Sequence, residues 1–255
     1  MMPMKDRVAL VTGASYGLGA ATAELLASRG ALVALCARTV PDLEQMMEKI
    51  EKKGGRAMVA PCDLRDDQQV KNMIARVVER WGRLEILVNN VGWAVPLGIP
   101  MEDVSDEEYE AAMAFNLRTA FFCIRATIPV MKKQHYGRIV NVSSSAGRFY
   151  AQTLGAPYSA AKAGMIGLTR HLAAELGPHG ICVNAIAPGF MLTKRARKIW
   201  EALPEEKRQT MLSGIPLRRL AEVEEVATTI AFLASDDASY LNGVCLDVNG
   251  GLYMA

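Results

Sequence analysis

The chain has 255 residues, of which 51% are hydrophobic and 22% are charged. These fractions are typical of globular proteins and exclude the disordered, collagen-like and fibrous classes. With 29 basic residues against 27 acidic ones the net charge is only +2, so no basic excess is available to bind the phosphates of a nucleic acid.

Short β-branched runs alternate along the chain with longer stretches of helical period. The runs are apolar on both faces, as in parallel strands covered on two sides, and they predict a seven-stranded, doubly wound α/β fold. The predicted strands are Arg7–Thr12, Ala31–Ala37, Ala57–Pro61, Leu84–Asn89, Arg138–Val142, Cys182–Ala187 and Val244–Val248. The predicted helices are Gly17–Ser28, Pro41–Lys53, Asp66–Trp81, Asp106–Lys132, Pro157–Glu175 and Glu222–Ala234.

The stretch Pro188–Leu217 lies between a strand end and the next strong helical pattern, and it mixes apolar and basic residues. Long segments of this kind in compact domains are usually lids or binding loops, although a surface helical hairpin without function is the alternative. Because the sequence has no linker or internal repeat, we predict one domain over residues 1–255, with a substrate lid around 188–217.

Metal, disulfide and membrane features are absent from the sequence pattern. The five cysteines are scattered and the three histidines lack zinc-site spacing, so we predict reduced thiols and no bound metal. No apolar run approaches the ~20 residues of a membrane span, and Met1–Arg7 has no signal-peptide pattern. We therefore expect a cytoplasmic protein that does not bind membranes.

A glycine-rich turn, TGASYGLG, joins the first predicted strand to the first helix. Gly13, Gly17 and Gly19 give it the spacing G-x-x-x-G-x-G. Glycine at such a turn lets backbone N–H groups approach a pyrophosphate at the positive end of the helix. The turn therefore predicts a dinucleotide site, and close packing without a ligand is the alternative.

The end of the second predicted strand indicates which dinucleotide binds. A site for NAD usually has a carboxylate there, which binds the 2′-hydroxyl and would repel a 2′-phosphate. This chain instead reads CART, and the guanidinium of Arg38 is a good phosphate ligand. We therefore expect NADP(H) rather than NAD(H); the alternative is that Arg38 merely faces solvent.

The sequence YSAAK puts Tyr158 and Lys162 on one face at the start of a predicted helix. An unperturbed tyrosine titrates at about pH 10, and a nearby positive charge lowers that pKa. The pair indicates acid–base chemistry near neutral pH, although Y-x-x-x-K alone is a frequent accident. Other polar residues follow predicted strands and strengthen the interpretation, namely Asn89, Asn90 and the serines 143–145.

Taken together, these motifs resemble the short-chain dehydrogenase/reductase family in its compact single-domain type. The resemblance covers nearly the whole chain, from TGASYGLG through NNVG, SSSAG, YSAAK and NAIAPGF to LNGVCLDVNGG. It implies reversible hydride transfer between a nicotinamide dinucleotide and a carbonyl or secondary alcohol. The catalytic residues would be Asn116, Ser144, Tyr158 and Lys162, with Tyr158 as acid and base. Ser145 stays open as an alternative to Ser144, because the family tolerates its spacing to Tyr158 as well.

The same resemblance implies contacts along the whole cofactor. Asp63 would bind the adenine amino group, Lys162 would bind the nicotinamide ribose and lower the pKa of Tyr158, and Asn116 would kink its helix and hold a water. The other cofactor positions would be Gly13, Ser15, Tyr16, Gly17, Leu18, Gly19, Arg38, Leu64, Asn90, Gly92, Tyr158, Pro188, Gly189 and Thr193. Because many NADP-dependent relatives have a basic residue where this chain has Tyr16, phosphate binding would depend on Arg38.

The motifs leave the substrate open. The pocket candidates are Trp93, Arg148, Tyr150, Leu154, Phe190 and the lid, whose basic residues are Lys194, Arg195, Arg197 and Lys198. This positive charge suits an anionic substrate or an acyl thioester, although a solvated basic face explains it equally well. Within the family the chain resembles 3-oxoacyl-carrier-protein reductases, but it has His135 and His179 where those enzymes tend to carry docking arginines.

Two further expectations concern the protein as a whole. The resemblance implies a homotetramer or homodimer, assembled through the late helix Glu222–Ala234 and the segment LNGVCLDVNGG. A non-catalytic dinucleotide-binding sensor or scaffold of the same fold is the alternative to an enzyme. Such relatives usually lose the tyrosine or the lysine, whereas this chain keeps both.

Overall fold

The computed structural model describes residues 4–93, 99–150 and 154–254, and its centre is one parallel sheet. The strands are β1 (Val8–Thr12), β2 (Leu32–Cys36), β3 (Arg56–Val59), β4 (Ile86–Asn89), β5 (Gly137–Val142), β6 (Ile181–Pro188) and β7 (Cys245–Val248). Their order in the sheet is β3-β2-β1-β4-β5-β6-β7. The predicted doubly wound α/β fold is confirmed. Since the chain runs outward from β1 in both directions, the crevice between β1 and β4 is the switch point where such sheets bind ligands.

The helices cover both faces of this sheet. They are α1 (Gly17–Ser28), α2 (Val40–Lys52), α3 (Asp67–Trp81), α4 (Asp106–Met113), α5 (Thr119–Gln134), α6 (Ala156–Leu176), α7 (Lys194–Ala202), α8 (Glu205–Ser213) and α9 (Val223–Leu233). Local sequence explains several of the ends. Asp66, for example, caps α3 by accepting the N–H groups of Gln68 and Gln69. No helix of the described ranges is long and apolar enough to span a membrane.

The core has two layers because alternate residues of each strand point to opposite faces. In β1, Ala9 and Val11 pack into the layer formed with α1 and α9. Val8 and Leu10 pack into the opposite layer, which α3, α5 and α6 complete. All five residues of β1 are buried, as a strand covered on two sides requires. The carboxyl ends of these strands form the rim on which the candidate site lies.

One helix differs from its prediction. The sequence predicts a single helix over Asp106–Lys132, but a π-helical turn, Ala114–Arg118, separates α4 from α5. Asn116 lies in this turn, and its side-chain Nδ2 donates 2.9 Å to the carbonyl oxygen of Ala112. An amide that bonds a carbonyl one turn earlier competes with the helical backbone, which explains the interruption.

The predicted lid is more regular than its sequence pattern indicates. It contains α7 and α8, with Pro204 at the start of α8. Thr193 caps α7, because its hydroxyl accepts the N–H of Ala196 at 3.1 Å. The segment therefore consists of two short helices on the side of the molecule where β6 ends.

Candidate active site

The glycine-rich turn lies between β1 and α1 at the switch point. Gly13 and Gly17 have φ angles of +66° and +61°, which side chains rarely adopt. A methyl group on Gly19 would clash with the carbonyl oxygen of Gly13 and lie 2.6 Å from Nδ2 of Asn90. The backbone of the turn is therefore closely packed and carries no side chain at its glycines. Leu18 is buried, whereas Tyr16 is 79% exposed. Ser15 is half-buried beside them.

Residues after β4 are tied to this turn. Asn90 donates through Nδ2 to the carbonyl oxygen of Thr12 at 3.0 Å, and its N–H donates to the hydroxyl of Thr12 at 2.9 Å. A methyl group on Gly92 would lie 3.0 Å from Nζ of Lys162 and 3.1 Å from Oδ1 of Asn116. Because Gly92 has no side chain, the space beside Nζ of Lys162 and Oδ1 of Asn116 stays open.

The segment after β6 approaches the turn from the opposite side. Pro188 ends β6, and Gly189 donates a 3.0 Å hydrogen bond from its N–H to the carbonyl oxygen of Val248. The side chain of Thr193 lies 3.5 Å from the position that a methyl group on Gly17 would occupy. The structure therefore brings Thr193 to the glycine-rich turn, as a shared ligand site requires.

The residues expected at the adenosine follow β2 and β3. Arg38 is exposed, Leu64 is buried, and Asp63 is held by Arg65 through its backbone N–H and its guanidinium at 2.5–3.1 Å. The hydrogen bond from Arg65 lowers the pKa of Asp63 to about 2. Arg65 also lies over the ring of Phe115, with 5.1 Å between the guanidinium carbon and the ring centroid. Arg65 is not among the predicted site residues, although it lies two residues from Asp63 in the sequence and carries the opposite charge.

Ser144, Tyr158 and Lys162 converge where β5 ends. The Ser144 hydroxyl lies near the phenol of Tyr158, where a hydrogen bond from Ser144 lowers the pKa of that phenol. Nζ of Lys162 lies 5.7 Å from the ring centroid of Tyr158 and donates 2.9 Å to the carbonyl oxygen of Val142. Ser143 supports the lysine from below, because its hydroxyl donates 2.8 Å to the carbonyl oxygen of Lys162. Of the two candidate serines, Ser144 is the one in contact with the phenol.

Burial shifts the pKa values of Tyr158 and Lys162 in opposite directions. Burial raises the pKa of Tyr158 above its ordinary value, and the hydrogen bond from Ser144 offsets only part of that rise. Burial also lowers the pKa of Lys162 to about 8, since the ammonium is 2% exposed and has no carboxylate partner within the described part of the chain. Burial therefore sets the net upward direction of the Tyr158 shift, and the prediction that Lys162 lowers the pKa of Tyr158 stays a prediction.

Asn116 is buried and fully engaged with the loop after β4. Its Oδ1 accepts the N–H of Trp93 at 2.9 Å, and its Nδ2 donates to the carbonyl oxygen of Trp93 at 2.8 Å. The ring of Trp93 packs at 5.8 Å from the ring of Phe115, next to Asn116 in the π-helical turn. Asn116 thus anchors the loop that contains Gly92, a role that its position inside a helix did not reveal.

The residues expected around a substrate are only partly available to bind one. Arg148 is bonded to Asp247 at 3.1 and 3.0 Å, which leaves its guanidinium less available to an anionic substrate. Tyr150 is 82% exposed, Trp93 and Phe190 are partly exposed, and Leu154 is half-buried.

The lid supplies less free positive charge than its sequence indicates. Arg197 is paired with Glu222 at 2.6 Å, whereas Lys194 and Lys198 are exposed. The side chain of Arg195 lies outside the described part of the structure, as do residues 151–153 of the loop before Tyr158.

Other groups that carry chemistry are scarce in the described ranges. The five cysteines are free thiols, of which Cys36, Cys62 and Cys123 are buried. No cluster of three His, Cys, Asp or Glu side chains in these ranges is placed to hold a metal ion.

Comparison with known proteins gives consistent matches. The family model described as enoyl-(acyl carrier protein) reductase matches residues 13–253. The 3-oxoacyl-[acyl-carrier-protein] reductase of Thermotoga maritima is 38% identical over 251 residues, which cover 98% of this chain and 99% of the relative. A crystal structure of a 3-oxoacyl-[acyl-carrier protein] reductase from Brucella melitensis with bound NAD is 35% identical, with a TM-score of 0.89 and coverage of 99% and 93%. Levodione reductase is 33% identical, with a TM-score of 0.90 and 97% coverage of both chains.

The fold, the strand-end site and these relatives define an oxidoreductase built on a doubly wound sheet. More narrowly, the chain belongs to the short-chain dehydrogenase/reductase family, as its motifs indicate. Among these relatives, the Brucella melitensis reductase has NAD bound in its crystal structure.

Proposed function

We propose that the protein reversibly transfers hydride between NADP(H) and a carbonyl or secondary alcohol, with Tyr158 as acid and base. One observation carries this proposal: the Ser144 hydroxyl lies near the phenol of Tyr158, and Nζ of Lys162 lies 5.7 Å from the centre of the phenol ring and beside the open position at Gly92. A hydroxyl, a phenol and an amine that meet at a strand end can bind and protonate a carbonyl oxygen.

The residues present fit a dinucleotide. A Cβ at Gly13, Gly17 or Gly19 would contact neighbouring atoms of the protein, so the turn presents bare backbone. This backbone lies at the N-terminus of α1, where an anion is stabilised. Because Gly92 has no side chain, the cofactor ribose would have room to reach Lys162. Thr193 would bound the site on the side of Gly17. The bound nicotinamide supplies or accepts the hydride.

The chain's own groups perform the proton transfer. In the reductive direction Ser144 donates a hydrogen bond to the carbonyl oxygen, and Tyr158 gives that oxygen its proton. Because the pKa of Lys162 is about 8, its amine can both lose and regain a proton near neutral pH, and it can replace the proton that Tyr158 gives up. Asn116 holds the loop of Gly92 against this pair through the backbone of Trp93.

The choice of NADP(H) rests on Arg38. It follows β2, it is exposed, and the nearby carboxylate of Asp63 is already neutralised by Arg65. A 2′-phosphate there would meet the guanidinium of Arg38. NAD(H) is the second candidate, because the Brucella melitensis relative binds NAD.

The substrate class we propose is a β-ketoacyl thioester or a related ketone. The name of the Thermotoga maritima relative supports the thioester, and levodione reductase supports a free ketone. A strongly anionic substrate has less support, since Arg148 and Arg197 are both paired with carboxylates.

We further propose that the protein is a single domain and works in the cytoplasm as a homotetramer. Light scattering tests the assembly.

A substrate panel tests the activity. Neutral ketones, β-ketoacyl thioesters and anionic ketones are each incubated with NADPH or NADH, and dinucleotide absorbance is followed. The proposal expects oxidation of NADPH with at least one neutral ketone or thioester and none with the Tyr158→Phe variant. Binding of dinucleotide without turnover on the whole panel would favour the sensor alternative.

A further inference from the structure

An ion pair joins the loop of Ser144 to the last strand of the sheet. Arg148 Nε and Nη2 donate to the two carboxylate oxygens of Asp247 at 3.1 and 3.0 Å, in a two-pronged arrangement. The two side chains are only 14% and 18% exposed, although 99 residues separate them in sequence. Partly buried, bidentate pairs fix geometry far better than exposed ones.

On one side, the pair holds a short, hydrogen-bonded turn. The Ser144 hydroxyl accepts the N–H of Ala146 at 3.2 Å, and its carbonyl oxygen accepts the N–H of Gly147 at 2.9 Å. The N–H of Arg148 then donates 2.9 Å to the carbonyl oxygen of Ser145. With every residue of the turn bonded to its neighbours, a shift of Arg148 moves Ser144 as well.

On the other side, the pair holds the strand that borders the segment after β6. Asp247 on β7 pairs in register with Ala187, and the next residue, Val248, accepts the N–H of Gly189. The ion pair thus fixes the distance between the serine that contacts Tyr158 and the Pro188–Gly189 segment.

Aromatic packing reinforces the same connection. The rings of Phe149 and Tyr253 stack at 5.3 Å with an angle of 7° between their planes. The Arg148 guanidinium lies 5.3 Å from the ring centroid of Tyr253, so one aromatic side chain covers both residues of the loop. The backbone of Tyr253 is held in turn by Nδ2 of Asn249 at 3.0 Å. The carboxyl-terminal segment is therefore part of the support of the site.

We propose that Arg148 and Asp247 are positioning residues that hold the Ser144 hydroxyl against the phenol of Tyr158. This inference rests on the proposed function for the roles of Ser144 and Tyr158. Arg148 does not contact substrate: both charges are satisfied by each other, and the hydrogen bonds that Arg148 donates to Asp247 raise the pKa of Arg148. The pair acts through the turn, and its loss frees the serine to leave its place.

The Asp247→Asn variant tests the proposal, with Asp236→Asn as the matched control. Asp236 also binds arginines, Arg7 at 3.2 Å and Arg138 at 3.3 Å, but it lies at the opposite ends of the strands. Both variants should lower the melting temperature. Only Asp247→Asn should lower kcat, by roughly tenfold to a hundredfold because a displaced reacting group costs about that much, while the Kd for NADPH stays the same.

Two further measurements separate positioning from general destabilisation. In a Ser144→Ala background, Asp247→Asn should cause no further loss of kcat, since both changes remove the same interaction. Arg148→Lys, which keeps the charge but loses the two-pronged geometry, should fall between wild type and Asp247→Asn.

One readout does not need turnover. The ¹³Cζ resonance of Tyr158, assigned by its loss in Tyr158→Phe, should shift in Asp247→Asn and stay unchanged in Asp236→Asn. If the wild type proves inactive, the proposed function fails while this measurement still decides the positioning role. An Asp247→Asn variant with unchanged kcat and an unchanged Tyr158 resonance, or multiplicative losses with Ser144→Ala, would overturn the proposal.

Discussion

Nζ of Lys162 donates a hydrogen bond of 2.9 Å to the carbonyl oxygen of Val142, the last residue of β5. The amine is buried, and burial lowers the pKa of Lys162 to about 8. A lysine in this environment exchanges its proton near physiological pH instead of acting as a fixed cation. The contact therefore links the architecture of the sheet to the protonation state of the site.

This lysine should leave a mark on the pH dependence of stability. Its pKa is about 8 in the folded chain and has the ordinary value of 10.5 when the chain unfolds. Between those values the unfolded chain holds a proton that the folded chain lacks, so the free energy of unfolding rises with pH over this window. The full rise is on the order of 3 kcal/mol, at 1.36 kcal/mol for each pKa unit.

Urea unfolding of the wild type and of Lys162→Met, measured from pH 7 to pH 10, tests this rise in the free energy of unfolding. The range covers most of the interval between the two pKa values of Lys162. The difference in free energy of unfolding between the two proteins should change in favour of the wild type as pH rises. A difference that stays flat across the range would contradict the depressed pKa of Lys162, whatever the activity of the variant.

Tyr158→Phe should remove turnover and leave dinucleotide binding nearly intact. The substitution deletes one hydroxyl from a half-buried ring whose hydroxyl contacts Ser144, and general acid–base groups contribute about a hundredfold to ten-thousandfold in rate. Steady-state kcat and the Kd for NADPH from fluorescence titration check the two halves of the prediction. Tyr240→Phe, at a fully exposed position, is the control and should keep wild-type values. Near wild-type kcat in Tyr158→Phe would show that another group transfers the proton.

Local patterns predicted the elements of the fold well. The helix Gly17–Ser28 has the same bounds in the structure, and the strand predicted at Arg138–Val142 begins one residue earlier, at Gly137. Apolar runs, glycine turns and caps are features of neighbouring residues, so a sequence reports them directly. The same holds for the spacing of Tyr158 and Lys162 on one helical face.

The parts that escaped prediction depend on distant residues or on burial. The two-pronged pair of Arg148 and Asp247 spans 99 residues, and nothing near Arg148 in the sequence announces its partner. The periodic pattern alone predicts one continuous helix around Asn116, whereas the family resemblance predicts the kink that the structure confirms as a π-helical turn. The pKa of Tyr158 depends on desolvation, and the sequence supplies the neighbouring charge without the depth at which the phenol lies.

Arg38→Gln should weaken NADPH binding and leave NADH binding unchanged. The guanidinium would be the charged partner of the 2′-phosphate, and charge-assisted hydrogen bonds contribute about 1.5–3 kcal/mol, or roughly ten- to a hundredfold in Kd. Titration of each dinucleotide against wild type and variant gives the ratio of the two Kd values. The exposed Arg76 on α3 provides a control, and Arg76→Gln should keep that ratio. An Arg38→Gln protein with the wild-type ratio would locate phosphate recognition elsewhere.

Gly19→Ala and Gly167→Ala should have opposite effects although both glycines lie in helices. A methyl group on Gly19 would collide with the carbonyl oxygen of Gly13, so the backbone of the turn has to move. Overpacking of this kind costs about 1–3 kcal/mol, and the displaced turn should also lose dinucleotide affinity. Gly167 faces open space on α6, where alanine should raise the free energy of unfolding by up to about 1 kcal/mol.

Thermal unfolding with and without NADPH measures both consequences of the glycine substitutions. Wild type and Gly167→Ala should gain the same increase in Tm on adding NADPH, whereas Gly19→Ala should start lower and gain little. Equal ligand-induced increases in all three proteins would mean that the pyrophosphate does not approach the backbone of this turn. Gly19→Ala and Gly167→Ala form a matched pair, because each substitution adds one methyl group to a helix and only the space around that group differs.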